Sequence, residues 1–180
     1  MSEIFFCSDH HFTHRNLMKW YPDRNKYDTP EEMDEAIIER HNAVVSKRDV
    51  VYLLGDFGFG SKDSITKIAW RLNGQKHFLS GNHDKGLLNH EKFRRAFSSI
   101  LPPLHMISIE GQKIVLCHFP IWEWEGIHHG VWHLHGHLHG SQCDVPGKIL
   151  DVGIDTNELR PYHMDTVKAH MDARPIRNHH

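Results

Sequence analysis

Three times in the first 84 residues of this 180-residue chain, a short apolar run ends in a knot of Asp, His or Asn. Glu3 to Ser8 runs into Asp9-His10-His11, Asp49 to Leu54 into Gly55-Asp56, and Gln75 to Ser80 into Gly81-Asn82-His83-Asp84. The segment Val50-Val51-Tyr52-Leu53-Leu54 has no polar alternation, the pattern of a strand buried on both faces. Helix signals separate the runs. Thr29-Pro30-Glu31-Glu32 reads as a capped helix start, and Met33, Ile37, Ile38, Val44 and Val45 follow at helical spacing to about Ser46. Ser61 or Asp63 can cap a second helix, to about Leu72. The rhythm is β-α-β-α-β, and in open α/β sheets ligands bind at the carboxyl ends of the strands. The three polar knots are therefore expected to converge. In an extended backbone Asp9 and His11 would share one side, with His10 turned away.

The rest of the chain adds two more such ends. Residues 14–20 suggest a helical turn, and Tyr21 to Thr29 is polar and turn-rich. His105 to Glu110 and Gln112 to Cys117 read as strands joined at Gly111, the second ending in His118. Val131 to His135 is a further strand that runs into Gly136-His137-Leu138-His139, Lys148 to Ile154 another, and residues 163–173 a closing helix. Antiparallel hairpins are expected in this half. With no linker, repeat or low-complexity segment, one domain over residues 1–180 is the simplest organisation, residues 177–180 forming a disordered or tag-derived tail. The terminal pair His179-His180 is set aside.

Composition sharpens the question. There are 19 histidines, nearly as many as the 21 Lys and Arg combined, and they concentrate near acidic residues and glycines. A net charge of -2 argues against a strongly basic nucleic-acid clamp or a polybasic membrane anchor, though not against a local basic site. The apolar runs are too short to span a membrane. The N-terminus lacks the basic and apolar regions of a signal peptide. Cys7, Cys117 and Cys143 are widely spaced and odd in number, and read as free thiols in a reducing compartment. The expected location is cytoplasmic.

Five strand ends thus carry Asp9 and His11, Asp56, Asn82 with His83 and Asp84, His118, and His137 with His139. The metal-ligand candidates are Asp9, His11, Asp56, Asn82, His118, His137 and His139, all nitrogen or oxygen donors. Imidazole with carboxylate suits Mn, Fe, Zn, Co or Ni better than a magnesium-only or calcium site. Seven candidates exceed the four of a typical zinc site and fit two divalent ions about 3.5–4 Å apart, as in two-metal hydrolysis. His83 carries a proton that can move near neutral pH, and Asp84 a carboxylate able to orient it.

The ordered pattern Asp-x-His, Gly-Asp, Gly-Asn-His-Asp, a lone His, then Gly-His-x-His resembles the calcineurin-like metallophosphoesterase superfamily, over most of the chain. The resemblance implies an α/β (α+β) fold, a two-sheet β-sandwich flanked by helices. It implies one metal on Asp9, His11, Asp56 and His139, the other on Asp56, Asn82, His118 and His137, with Asp56 bridging. His83 would lie over the phosphate and protonate the leaving oxygen, and Asp84 would orient His83. The expected cofactors are two divalent ions, Mn2+ foremost and Fe, Zn, Ni or Co as alternatives. The expected activity is hydrolysis of a phosphomonoester or phosphodiester. The modest length and Trp122, Trp124 and Trp132 suggest a small, nucleotide-like substrate. A nuclease built on the same centre and a non-catalytic metal-binding scaffold are the alternatives. Several residues stay open at this point: Arg15 as phosphate clamp or surface residue, His128 and His129 as loop or substrate contacts, His133 and His135 as further ligands or as packed or exposed residues, and Asp151, Asp155, Asn157 and Arg160 as supports behind the metal ligands or as loop residues.

Overall fold

In a computed structural model of the chain, which describes residues 2–178, the three early apolar runs become parallel strands. These are β1 (Ile4–Cys7), β2 (Val50–Leu53) and β3 (Gln75–Phe78). The connecting helices are α1 (Pro30–Val44) and α2 (Lys62–Arg71). Thr29 caps α1 by accepting the Glu32 backbone N–H at 3.2 Å, and the Glu32 carboxylate returns a bond to the Asp28 N–H, one residue before the cap. Ser61, not Asp63, caps α2 through the Ser64 N–H.

Two short helices, α3 (Lys85–Leu88) and α4 (Glu91–Arg94), then lead to a two-residue strand, β4 (Ser99–Ile100), parallel to β3. The later strands are β5 (Leu104–Ile109), β6 (Gln112–Cys117), β7 (Trp132–His135), β8 (Ile149–Asp151) and β9 (Tyr162–His163), followed by α5 (Met164–Asp172). The first sheet has the order β4-β3-β2-β1-β9 and the second β5-β6-β7-β8. The antiparallel expectation for the second half holds for the hairpin β5–β6 and for β9 against β1. It fails elsewhere: β6–β7 and β7–β8 are parallel. Crossovers through residues 118–131 and 136–148 return the chain in the same direction, so β6 and β7 deliver His118 and the Gly136–His139 segment to the same edge.

Alternation along β1 divides the core. Phe5 and Cys7 face α1 and α2 with Val51, Leu53, Met33, Ile37 and Ile65. Phe6 lies in a second cluster with Ile114, Leu116, Leu134 and Leu150 of the other sheet and Val167 and Met171 of α5. The two mixed sheets therefore share one apolar layer and are flanked by helices. Among the described residues no helix is long and apolar enough to cross a membrane. The cysteines are free, as expected. His179 and His180 lie outside the described residues.

Candidate metal centre

The strand ends converge through strained backbone. Nine described non-glycine residues have positive φ, and five of them are ligand candidates: Asp9, His11, Asp56, His137 and His139. Such conformations are costly and persist where the surroundings enforce them, most often at functional sites. The extended geometry expected for Asp9 and His11 is therefore incorrect: β1 ends at Cys7, and both residues reach one side from left-handed conformations, at φ 58° and 47°. Glycine permits the loops to close together. A Cβ on Gly81 would collide with the Asp56 carboxylate, and one on Gly136 with the side chains of Ser8 and Asp9.

Two three-residue groups result, Asp9 with His11 and His139, and Asp56 with His118 and His137. In the first, Asp9 Oδ1 lies 3.7 Å from His11 Nε2 and 3.8 Å from His139 Nε2. These gaps exceed a hydrogen bond, and Asp9 Oδ1 and both ring nitrogens of His11 are buried without a partner among the described residues. Ligands at about 2.1 Å from a shared ion lie roughly 3–4.2 Å apart, so the spacing suits a cation. In the second group, His118 Nδ1 is 2.8 Å from the Leu54 carbonyl, which can only accept and so fixes the proton on Nδ1. Nε2 then faces Asn82 Oδ1 at 3.1 Å and Asp56 Oδ2 at 3.4 Å. Three atoms with lone pairs meet there, and either a proton on Nε2 or a cation must lie among them.

The charges of the surrounding side chains favour positive charge at that point. Burial pulls the His118 pKa down, but the Asp56 carboxylate outweighs it and leaves the imidazole above its usual value. Burial likewise pushes Asp56 upward, while His118 and the His83 backbone N–H overcome it and hold the carboxyl at about 2. A divalent cation would supply that charge in the second group, and one in the first would satisfy Asp9 Oδ1 and His11 Nε2. The donor set therefore fits divalent cations.

Asp56 lies between the groups. Its Oδ2 is 3.6 Å from His11 Nε2 and 3.4 Å from His118 Nε2, and it approaches His83 Nε2 at 3.9 Å. Its other oxygen accepts the His83 backbone N–H at 3.0 Å. The His83 ring is open to solvent and rests beside Phe59, 4.9 Å between centroids. His137 is exposed, sits 5.2 Å from the His118 ring, and donates its backbone N–H to Asp9 Oδ2 at 2.9 Å.

Asp84 has a different place from the one expected. Its carboxylate accepts from the backbone N–H of Asp56 at 2.7 Å, of Phe57 at 2.9 Å and of Gly81 at 2.7 Å. It is fully buried, so it clamps the two loops together instead of orienting the His83 ring. Nor does it cap α3 with its side chain.

Four further residues support these groups, and of them the sequence singles out only Asp155. Arg24 is completely buried and grips Asp155 through Nε at 2.6 Å and Nη2 at 3.0 Å. The same guanidinium holds the carbonyls of Asp9 at 2.7 Å and His10 at 2.8 Å. Asp155 in turn accepts from His139 Nδ1 at 2.7 Å, which turns Nε2 toward Asp9. Tyr21 stacks on His139 at 4.9 Å. Phe119, partly exposed, packs edge-on against His118 and His137. Charge pairing with a buried Arg was the missing signal, and a turn-rich stretch hides it.

The aromatic residues divide. Trp124 and Trp132 are core residues, which removes two of the three aromatic residues behind the nucleotide-like expectation. Trp122 is exposed, with the Arg177 guanidinium over its ring at 5.2 Å. His133 and His135 are both buried, and Arg15 is exposed.

Fold and site define a mixed α/β protein with two His/Asp groups able to hold divalent cations. No family model matches the chain. It is 31% identical over 176 residues to the uncharacterized protein MJ1445 of Methanocaldococcus jannaschii, covering 93% of this chain and 90% of that one, and it belongs to that protein's family. The structure is similar to that of the protein AQ665 from Aquifex aeolicus, with a TM-score of 0.71 at 21% identity over 94% of this chain and 99% of that one. An archaeal phosphodiesterase aligns over 84% of this chain and 82% of its own at 20% identity, with a TM-score of 0.46, too loose a likeness to bear on function.

Proposed function

We propose that this chain is a metal-dependent phosphoesterase with the β-sandwich architecture of the calcineurin-like metallophosphoesterases. It hydrolyses a small phosphomonoester or phosphodiester, nucleotide-like in size. One observation carries the reading: Asp56 Oδ2 lies within 3.6 Å of His11 Nε2 and 3.4 Å of His118 Nε2, one imidazole from each three-residue group. In this reading Asp9, His11, Asp56 and His139 hold one divalent ion and Asp56, Asn82, His118 and His137 a second, with Mn2+ the preferred metal. When bound, such ions supply positive charge for a phosphate oxyanion and acidify water at neutral pH.

The chain's own residues supply the rest. Arg24 and Asp155 fix the His139 ring, and the Leu54 carbonyl fixes His118, so that both Nε2 atoms face inward. In this reading His83, anchored to Asp56 by its backbone and open to solvent at its ring, meets the substrate and gives a proton to the departing oxygen. Asp84 is a positioning residue beneath Asp56 and Gly81.

The test is hydrolysis of p-nitrophenyl phosphate, its bis-ester, and a panel of mono-, di- and cyclic nucleotides, with Mn2+ and with EDTA. Metal-dependent turnover on small esters is expected. Cleavage confined to DNA or RNA would make the protein a nuclease, and no turnover with metals bound would leave a scaffold.

A further inference from the structure

The residue between Asp9 and His11 belongs to another cluster, one the proposed activity does not use. Cys7 on β1, His10 in the following loop and His41 on α1 are 0%, 1% and 1% exposed. One ligand atom from each lies within 4.8 Å of the other two. His41 Nε2 is 3.0 Å from the Asn73 carbonyl, which can only accept, so Nε2 carries the proton and Nδ1 keeps its lone pair. That Nδ1 is buried with no partner among the described residues. A carbonyl on one ring nitrogen and a free lone pair on the other is the arrangement of a metal-bound histidine. Both nitrogens of His10 are also buried and unpartnered. The Cys7 thiol makes only a long contact, 3.9 Å, to the Tyr52 carbonyl. A well-packed core rarely leaves adjacent polar atoms unsatisfied in this way.

We propose that Cys7, His10 and His41 form a buried site for one soft, thiophilic metal ion, distinct from the Asp9–His139 and Asp56–His137 groups. The donor types fit. His41 keeps a lone pair on Nδ1 because Nε2 faces the Asn73 carbonyl, and neither His10 nitrogen meets a partner among the described residues, so each ring has a nitrogen to offer. Cys7 is a free, buried thiol, and binding would form a metal–sulfur bond as the thiol proton leaves to solvent. Sulfur with two imidazoles selects Cu+ or Zn2+ over Mn2+ or Mg2+. Charge favours the monovalent ion: one thiolate neutralises Cu+, whereas Zn2+ would leave a positive charge close to Arg24, whose Nη1 donates to the His10 carbonyl at 2.8 Å. Zinc also prefers a fourth ligand. Such an ion would pin the loop that carries Asp9 and His11 in left-handed conformations to α1.

The test uses the Asp56→Ala, His139→Ala double variant, which dismantles the other centre, expressed in parallel with added copper and with added zinc. Metal content and X-ray absorption are read after dialysis. One retained equivalent with one bonded sulfur is expected, with copper held in preference to zinc. Loss of that equivalent is expected on adding Cys7→Ser, and its retention on adding Cys117→Ser with Cys143→Ser. If the Cys7→Ser protein does not fold, the Cys117→Ser, Cys143→Ser protein still decides, because Cys7 is then the only thiol. No retained ion, or one with nitrogen and oxygen neighbours alone, would overturn the proposal and leave a cluster satisfied by water.

Discussion

The carboxylate of Asp84 sits beneath Asp56, its Oδ2 shared between the backbone N–H groups of Asp56 and Gly81, each at 2.7 Å, while its Oδ1 takes that of Phe57. One buried side chain thus joins the loop after β2 to the loop after β3. Burial raises its pKa and the three amides work against that rise. Asp84→Ala leaves three donors without acceptors, two of them buried and that of Gly81 partly so, at about 1–3 kcal/mol for each buried one. A loss on the order of 3 kcal/mol or more is expected in urea denaturation, with weakened Mn2+ binding. Asp84→Asn, which keeps one acceptor oxygen, should fall between. Wild-type stability in Asp84→Ala would show the clamp to be dispensable.

His83 touches the site through its backbone and presents its ring to solvent. His83→Ala should therefore keep the wild-type metal content and lower kcat by about 10²–10⁴, the usual loss for a general acid. Parallel metal analysis and steady-state kinetics separate this from a ligand role, in which metal would be lost with activity.

Arg24 holds Asp155, and Asp155 holds His139. Arg24→Met strands a buried carboxylate, for which a loss of about 3–5 kcal/mol is expected. Arg24→Lys keeps the charge but not the two-pronged grip, and should recover only part of the stability. Equal stability of Arg24→Lys and wild type would show that charge alone matters.

Acid should destabilise the EDTA-treated protein steeply. Burial depresses the pKa of His10 to about 3, and of His41 and His133 to about 4. A depressed histidine is neutral in the fold while the unfolded chain takes up a proton below about 6.5. The unfolded state thus binds more protons, and stability present above that pH is lost as the pH falls toward 4. Each group adds a slope of about 1.4 kcal/mol per pH unit over this window. His133→Phe should reduce the slope of unfolding free energy between pH 6.5 and 4 by one such increment, whatever its effect at pH 7.

The local sequence was a good guide where local chemistry dictates structure. The parallel β1-α1-β2-α2-β3 core followed from apolar runs and caps at Thr29 and Ser61. The meeting of Asp9, His11, Asp56, His118, His137 and His139 followed from strand ends and glycines. Arg24 was not legible because its partner lies 131 residues away, and no periodicity encodes such a pair. Adjacency to His83 suggests a pairing for Asp84, whereas burial beside the amides of Asp56, Phe57 and Gly81 decides where the carboxylate goes. The parallel pairing of β6, β7 and β8 was missed because strand direction depends on crossover paths, not on residue patterns. The three-residue cluster at Cys7, His10 and His41 joins a strand, a loop and a helix that share no motif.

The central claim is that Asp56 serves both ions. Equilibrium dialysis of Mn2+ against the wild-type chain and Asp56→Ala, with circular dichroism to establish folding, tests it most directly. Two equivalents on the wild type and neither on the folded variant are the predicted result. Retention of one Mn2+ equivalent by folded Asp56→Ala, at wild-type affinity, would contradict it.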